Sequence, residues 1–552
     1  MENLPPERSV DIIVQYSVKP GKPQHDKALG IGIGLRKSLD LINAAVYTTK
    51  AAAIDTIAKD PEVVSISPDR PVAGVLEYST PAVNGLPEQT GGLTGAGVGI
   101  AIIDSGISPL HPDVLGRIVY SESFHPNGTW TDDRNGHGTH VAGIAAGSGL
   151  ASTGKLFTRT FRGLAGGARL INLRVLDERA SGTDSAVIAA IARAIALKNT
   201  YNIRIINLSL GRPVRESYTT DPLCQAVEQA WKAGILVIAA AGNEGRNNTF
   251  GTSGYGLIGA PGNDPYVITV GAMKTSETTP RADDRIASYS SKGPTAVDHI
   301  VKPDLVAPGN RVVSTSGAGF LPDSFSSNVI PVSYYSVIQA QFTSPHYYKL
   351  SGTSMAVPVV TGAAALLLQK NPALTPDQVK AILMKTASKA FPSTSFATDP
   401  LTGQIYLSQY DIFTVGAGYL DVQAALNNTA LPTGVALSPK VYYDKKKRDT
   451  YVTLSGYKGA KLAWNQTGWA LSNVWGPSQF LSGGSALWGD SALWGDSALW
   501  GDASQTAFSA LWGDSALWGD SALWGDRYLA STTAATSTIT PEAISIAIYG
   551  EK

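Results

Sequence analysis

The stretch "RNGHGTHVAG", residues 134–143, sets His137 and His140 three positions apart among Gly, Thr, Val and Ala. Histidines so spaced can share a metal ion, or one can act as a general base while the other is packed in a core. Further residues stand where chemistry is done on a parallel sheet, at the carboxyl ends of strands and the starts of helices. Asp104 closes the apolar run "GIAIID", Asn243 follows "ILVIAAAG", and Ser354 heads the small-residue helix in "SGTSMAVPVVTGAAALLLQ". Taken singly, each has a plain structural reading: a turn-capping Asp, a polar contact for His137, a left-handed turn Asn, an N-cap Ser. Taken together they supply what serine nucleophilic catalysis requires: a hydroxyl, a base for its proton, a carboxylate to orient that base and a donor for the oxyanion.

The elements that must hold these groups are visible as changes of period. From about residue 95, strands and helices alternate through "GVGIAIID", "HVAGIAAG", "ARLINLRVL", "DSAVIAAIARAIAL", "IRIINLSL", "PLCQAVEQAWKAG" and "ILVIAAAG". Such alternation predicts an α/β domain, a parallel sheet with helices on both faces. Ahead of it, residues 1–78 read as a small α+β unit: "VDIIVQYS", "AAVYTTK" and "VVSISPD" as strands, "LRKSLDLI" and "AAAIDTIAKD" as helical. After about residue 430 the helical periods stop, and a chain rich in Gly, Ser and Trp carries an array of "SALWGD" hexads over 485–526. The expected organisation is therefore 1–78, 79–430 and 431–552.

Composition removes several classes of function. With 44 Lys+Arg against 44 Asp+Glu, net charge asks for neither nucleic acid nor a membrane surface. No apolar stretch reaches the roughly 18 residues of a membrane span, because "GILVIAAAG" is short and "AVIAAIARAIAL" carries Arg193. The single cysteine, Cys224, has no internal disulfide partner and reads as a buried thiol on a helix face. The polar opening "MENLPPERSVD" is not a signal peptide, so either export is absent or its signal is missing from this chain.

"AIIDSGI", "NGHGTHVAG", "AAAGNEG" and "SGTSMAVP" resemble the four signature segments of subtilisin-like serine proteases, in the family's order Asp, His, Ser. "HPDV", "NLSLG", "GAPGNDPYVITVGA" and "KPDLVAPG" are similar too, and the resemblance covers about residues 95–427. It implies a serine endopeptidase with Ser354 as nucleophile, His137 as general base and Asp104 as its orienting carboxylate. Asn243 and the Ser354 backbone N–H become the oxyanion donors. Ser209, Leu210 and Gly211 on one side, and Ala240, Ala241 and Gly242 on the other, become the pocket walls, pairing with an extended peptide. Asp132 and Asp133 are either a subsite for basic residues or a solvated loop. A metal role for the histidine pair lacks a third ligand and the Glu of HExxH, so no metal is expected there, and His140 becomes a core histidine. Chemistry requires no cofactor. Asp113 matches a family calcium ligand, but "GLASTGKLFTRTFRG" replaces the loop that completes that site, and one carboxylate is too few for a calcium ion; calcium elsewhere stays open.

The same resemblance gives residues 1–78 the length and order of an inhibitory propeptide, against the alternative of an unrelated small domain. It implies autoprocessing near Tyr78, secretion or display at the cell surface, protein substrates, the propeptide as intramolecular inhibitor, and a monomer. The hexad array cannot be one helix with a Trp face, since six residues turn an α-helix by about 600° and scatter the tryptophans. A turn-rich β-solenoid and a low-complexity tail remain, and the run "DKKKRD" at 444–449 reads as a solvated turn. The competing function is a catalytically dead surface protein that merely displays this array. Its mark would be a missing catalytic group, and none is missing.

Overall fold

The computed structural model describes residues 9–68, 71–74, 82–85, 90–154, 156–248, 252–278, 281–337, 345–399, 401–444, 449–453 and 541–551. The N-terminal unit is a four-stranded antiparallel sheet, order β2-β3-β1-β4, made of β1 (Ser9–Tyr16), β2 (Gly34–Leu39), β3 (Ala44–Lys50) and β4 (Val63–Pro68). Its small core joins Ile12, Val14 and Tyr47 to Ala28 of α1 (Lys22–Gly30) and Ile57 of α2 (Ile54–Ile57). One expectation largely fails here: "LRKSLDLI" supplies edge strand β2 through Leu39, and only Asp40–Ile42 close it as a single 3-10 turn. The helix lies earlier, where Gln24 bonds back to the Gly21 N–H and Pro23 occupies the first turn. Gly32, at φ +80°, then ends that helix and lets the chain enter β2 extended.

The apolar runs after residue 95 build the main sheet, order β14-β13-β12-β10-β6-β8-β7 with β15 also against β13. Its strands are β6 (Gly99–Asp104), β7 (Ile118–Ser123), β8 (Arg169–Arg174), β10 (Ile203–Leu208), β12 (Leu236–Ala240), β13 (Ile268–Lys274), β14 (Arg285–Ile286) and β15 (Leu305–Pro308). All pairs are parallel except β13 with β14. Strands β6, β12 and β13 are buried throughout, as strands covered on both faces must be. One layer of helices is α3 (His137–Ala146) with α8 (Thr353–Lys370); the other is α4 (Asp184–Ala196) with α6 (Pro222–Lys232). Short α5 (Lys198–Tyr201) and α7 (Phe320–Ser324) lie in connections, while α9 (Pro376–Thr386) and α10 (Val422–Asn427) pack on α8. Helix α8 is buried from Thr353 to Leu368, so it is apolar all round rather than striped.

A second, three-stranded antiparallel sheet has the order β11-β5-β9, from β5 (Pro71–Gly74), β9 (Ser181–Thr183) and β11 (Leu210–Gly211). The strand that follows the N-terminal unit therefore lies between two strands of the larger domain. Hairpins complete the fold: β16 (Val312–Thr315) with β17 (Tyr347–Leu350), β18 (Thr394–Thr398) with β19 (Ile405–Gln409), and β20 (Lys440–Asp444) with β21 (Asp449–Thr453). Helical structure does not stop at residue 430, because "PEAISIAIY" forms α11 (Pro541–Tyr549), and its Ile546, Ala547 and Ile548 join the main core. No helix among the described residues is long and apolar enough to cross a membrane. The hexad array, 485–526, and Tyr78 lie outside the described residues.

Candidate active site

The chain places β6 between β8 on one side and β10 on the other, the point where strand order reverses and where parallel sheets open a crevice at their carboxyl ends. Asp104 is the last residue of β6, and His137 is the first of α3; both side chains are fully buried. His137 Nδ1 lies 2.5 Å from Asp104 Oδ1, which also accepts the Ser105 N–H at 2.7 Å. A carboxylate only accepts, so Nδ1 carries a proton, and in the neutral ring Nε2 is then the acceptor nitrogen. The helix can come this close because Gly138 has no side chain. A Cβ there would stand 2.1 Å from the Gly106 carbonyl oxygen and 3.2 Å from Asp104 Cβ.

What aims α3 is a residue whose role the sequence reading missed. Asp133, 3% exposed, takes Ser105 Oγ (2.9 Å), Asn135 N (3.0 Å) and Gly136 N (2.8 Å) on Oδ1 and Thr139 N (2.8 Å) on Oδ2. Gly136, the N-cap, has no side chain to offer, so Asp133 caps the helix from outside. Ser105 Oγ in turn accepts the Gly138 N–H at 2.9 Å. Asp133 is thus neither a subsite charge nor a solvated loop residue; burial under four donors excludes both. Asp132, its neighbour, is exposed. The signal available in the sequence was an Asp shortly ahead of a helix whose own cap position is Gly.

Ser354 is the second residue of α8 and 2% exposed. Its Oγ donates to the Ser209 carbonyl at 3.0 Å, and Ser209 Oγ donates to the Ser354 carbonyl at 2.6 Å. Asn243 Oδ1 accepts both the N–H (2.9 Å) and the hydroxyl (3.1 Å) of Thr353, whose Oγ1 accepts the Gly242 N–H at 3.1 Å. Those bonds fix which way the amide faces. They leave Asn243 Nδ2 buried and without a hydrogen-bond partner. A buried, oriented, unsatisfied donor at the N-terminus of α8 is costly to the fold and suited to receive a developing negative charge. Thr353 is the second contributor that sequence reasoning passed over.

Leu210 and Gly211 pair with Gly74 and Ala73 of β5, so an extended peptide in that lane runs directly towards Ser209. Ala240 ends β12 on the strand beside β10, and Ala241 and Gly242 continue from it, so the two predicted walls leave adjacent strands at one edge. Gly242 has φ +106°, and a Cβ would lie 2.8 Å from Ser291 Oγ, so only glycine serves there. His140 is fully buried, with Nε2 within 3.2 Å of the Val312 and Tyr348 carbonyls, and burial pushes its pKa down to about 3. Cys224 is buried on α6 and points its thiol at Asn263 Oδ1, 3.3 Å away. Asp113, the residue matching a family calcium ligand, accepts the Ala151 N–H of the replacement loop on Oδ1 and the Tyr347 hydroxyl of β17 on Oδ2, both at 2.8 Å.

Comparison with known proteins follows the same lines. Residues 95–410 match the model of the subtilase family, Peptidase_S8. Serine protease AprX of Bacillus subtilis is 36% identical over 364 residues, 64% of this chain and 76% of its own. Subtilisin E of the same species is 33% identical over 395 residues, 71% of this chain and 82% of its own. Among solved structures, fervidolysin from Fervidobacterium pennivorans, a keratinolytic enzyme related to subtilisin, superposes with a TM-score of 0.58. That likeness covers 78% of this chain and 62% of the other at 21% identity, and so concerns fold alone.

Proposed function

Since this chain belongs to the subtilase family and is a serine endopeptidase, we propose that its hydrolysis runs through Ser354, His137 and Asp104, with Asn243 as oxyanion donor. Ser354 Oγ attacks the scissile carbonyl while His137 Nε2 takes its proton. Asp104 holds the imidazole in the Nδ1–H tautomer and stabilises its charged form. The carbonyl oxygen, now carrying the charge, turns to Asn243 Nδ2 and the Ser354 N–H. His137 then protonates the leaving amine, and water resolves the acyl-serine by the same steps reversed. The observation that carries this reading is the buried Nδ2 donor with no partner, held by Thr353 beside the serine. A peptide paired to Leu210 and Gly211 as β5 is would bring its next residue to Ser209, whose carbonyl and hydroxyl both touch Ser354.

The N-terminal unit is read as the chain's own inhibitor, and its removal as self-cleavage. Support comes from β5, which takes the central lane of the β11-β5-β9 sheet and so stands where substrate would. The cut is expected beyond Gly74, within about five residues of Tyr78 as the family's mature length implies. Export to the medium or cell surface is part of the same reading, because this order of units belongs to exported relatives.

A fluorophosphonate probe tests the nucleophile: the parent should be labelled and Ser354→Ala should not. Equal labelling, or none in folded parent, ends the reading and leaves the display function standing. Intact mass tests the cleavage: the parent should lose its N-terminal unit, and Ser354→Ala should keep it. An active parent retaining Met1–Tyr78 would remove the inhibitor role.

A further inference from the structure

The chain returns to the catalytic core after residue 540, and it does so beside the two loops that carry the reacting groups. In α11, the Ala547 carbonyl accepts the Ser351 N–H at 3.1 Å, three residues before Ser354, and the Ile548 carbonyl accepts Asn328 Nδ2 at 2.7 Å. Gly550, at φ +59°, lies so close that a Cβ would stand 2.2 Å from Ser351 Oγ. The backbone of Glu551 makes a reciprocal pair with Asn310, N–H to Oδ1 and carbonyl to Nδ2, both 2.9 Å. Its side chain, 1% exposed, ends on Arg246: Glu551 Oε1 accepts Arg246 Nη2 at 2.8 Å, Ser288 N at 2.9 Å and the Ser288 hydroxyl. Arg246 is three residues after Asn243 and also holds Ser288 Oγ and Asp399.

We infer that Glu551 and α11 position the catalytic centre, holding the Asn243 loop through Arg246 and the Ser354 loop through Ser351 in mutual register. The physical case is one of stiffness. Asn243 Nδ2 and Ser354 sit on separate loops, and their only direct tie among the described hydrogen bonds is Thr353. A buried ion pair on one loop and a backbone bond on the other, both from one short segment, remove the remaining relative motion. Misplacing a catalytic group by about 1 Å costs up to about 10²-fold in rate. The inference rests on the roles proposed for Ser354 and Asn243.

The test compares the parent with Glu551→Ala and Glu551→Gln in the full chain, with kcat expressed per active site titrated by the fluorophosphonate probe. Glu551→Ala should lose about tenfold or more in kcat with KM changed less than about twofold, and the isosteric Gln, which keeps an acceptor but no charge, should fall between. Parent kcat per titrated site in Glu551→Ala overturns the inference, and so does a loss that only tracks the fraction of folded protein. A parent that the probe fails to label would instead overturn the proposed nucleophile, which keeps the two failures apart.

Discussion

Asp133→Asn isolates the residue that aims His137, the proposed general base. In the parent, three donors converge on Oδ1 and the Thr139 N–H on Oδ2. With the amide oxygen in the Oδ1 position, the new NH2 faces the Thr139 N–H, a buried donor against a donor. Orphaning that N–H costs about 1–3 kcal/mol, and losing charge assistance costs roughly 0.5–1 kcal/mol on each remaining bond. Easier burial of a neutral group offsets part of this, leaving about 2–4 kcal/mol. Urea unfolding in a Ser354→Ala background, where self-digestion cannot interfere, should show a lower midpoint at unchanged slope. The exposed neighbour Asp132→Asn should stay within about 0.5 kcal/mol. In the active chain, Asp133→Asn should also reduce kcat beyond any loss of folded protein, because Ser105 and Gly138 share its network. A midpoint for Asp133→Asn indistinguishable from that of Asp132→Asn would refute the capping argument.

Asn243→Ala should lower kcat by about 10² to 10³ with little change in KM, a magnitude known from a subtilisin asparagine rather than worked out from this chain; a loss under about fivefold would remove its oxyanion role. The kcat/KM profile should rise with pH as His137 loses its proton, since only the neutral imidazole can act as the base. His140, pushed down to about 3 by burial, should add no step of its own, so the pH at which the profile rises should be the same in His140→Gln; a moved step in that variant would contradict its burial. Lys292, pushed down to about 8 by burial, binds its proton less tightly folded than unfolded, so stability from this residue should rise with pH between about 8 and the ordinary 10.5. Denaturation of the Ser354→Ala background across that window should show the slope and Lys292→Met should flatten it; equal slopes would sink the assignment. EDTA should leave turnover unchanged at once in folded enzyme, and immediate loss restored by zinc would refute the serine mechanism.

The motifs of the candidate site were legible because their information is local. A strand ending in Asp, a helix opening on His-Gly and a Gly-Thr-Ser helix start each write a backbone geometry as well as a side chain, and the parallel sheet followed from strand and helix alternation. Partners far away in sequence were not legible. "LRKSLDLI" has a helical mixture of Leu and charge, yet β3 claims it as an edge strand, and the flanking Gly32 and Gly34 allow it. Asp133 reads as one of two loop acids until the fold brings Ser105 and the start of α3 to it. Thr353 reads as the neighbour of a nucleophile, and only the amide of Asn243, 110 positions away, makes it an anchor. Glu551 is the extreme case, lying 305 positions from Arg246 and separated from it by the hexad array.

These misses share a physical cause that also explains why the site works. A donor such as Asn243 Nδ2 that waits unsatisfied, and a carboxylate such as Asp104 that leaves Oδ2 buried without a partner, both work against folding. The proposed oxyanion donor and orienting carboxylate therefore cannot hold themselves in place. Asp133 fixes α3, Thr353 fixes the amide, Ser209 meets the serine on two bonds, and each of these is hydrogen-bonded where Asn243 Nδ2 and Asp104 Oδ2 are not. Glycine supplies the rest by omission, since a side chain on Gly138 would push the helix off Asp104 and one on Gly242 would strike Ser291. A motif search finds the unsatisfied members because reaction chemistry restricts their types. The satisfied members are restricted only by geometry, and geometry becomes visible when the strands of the sheet are put in order.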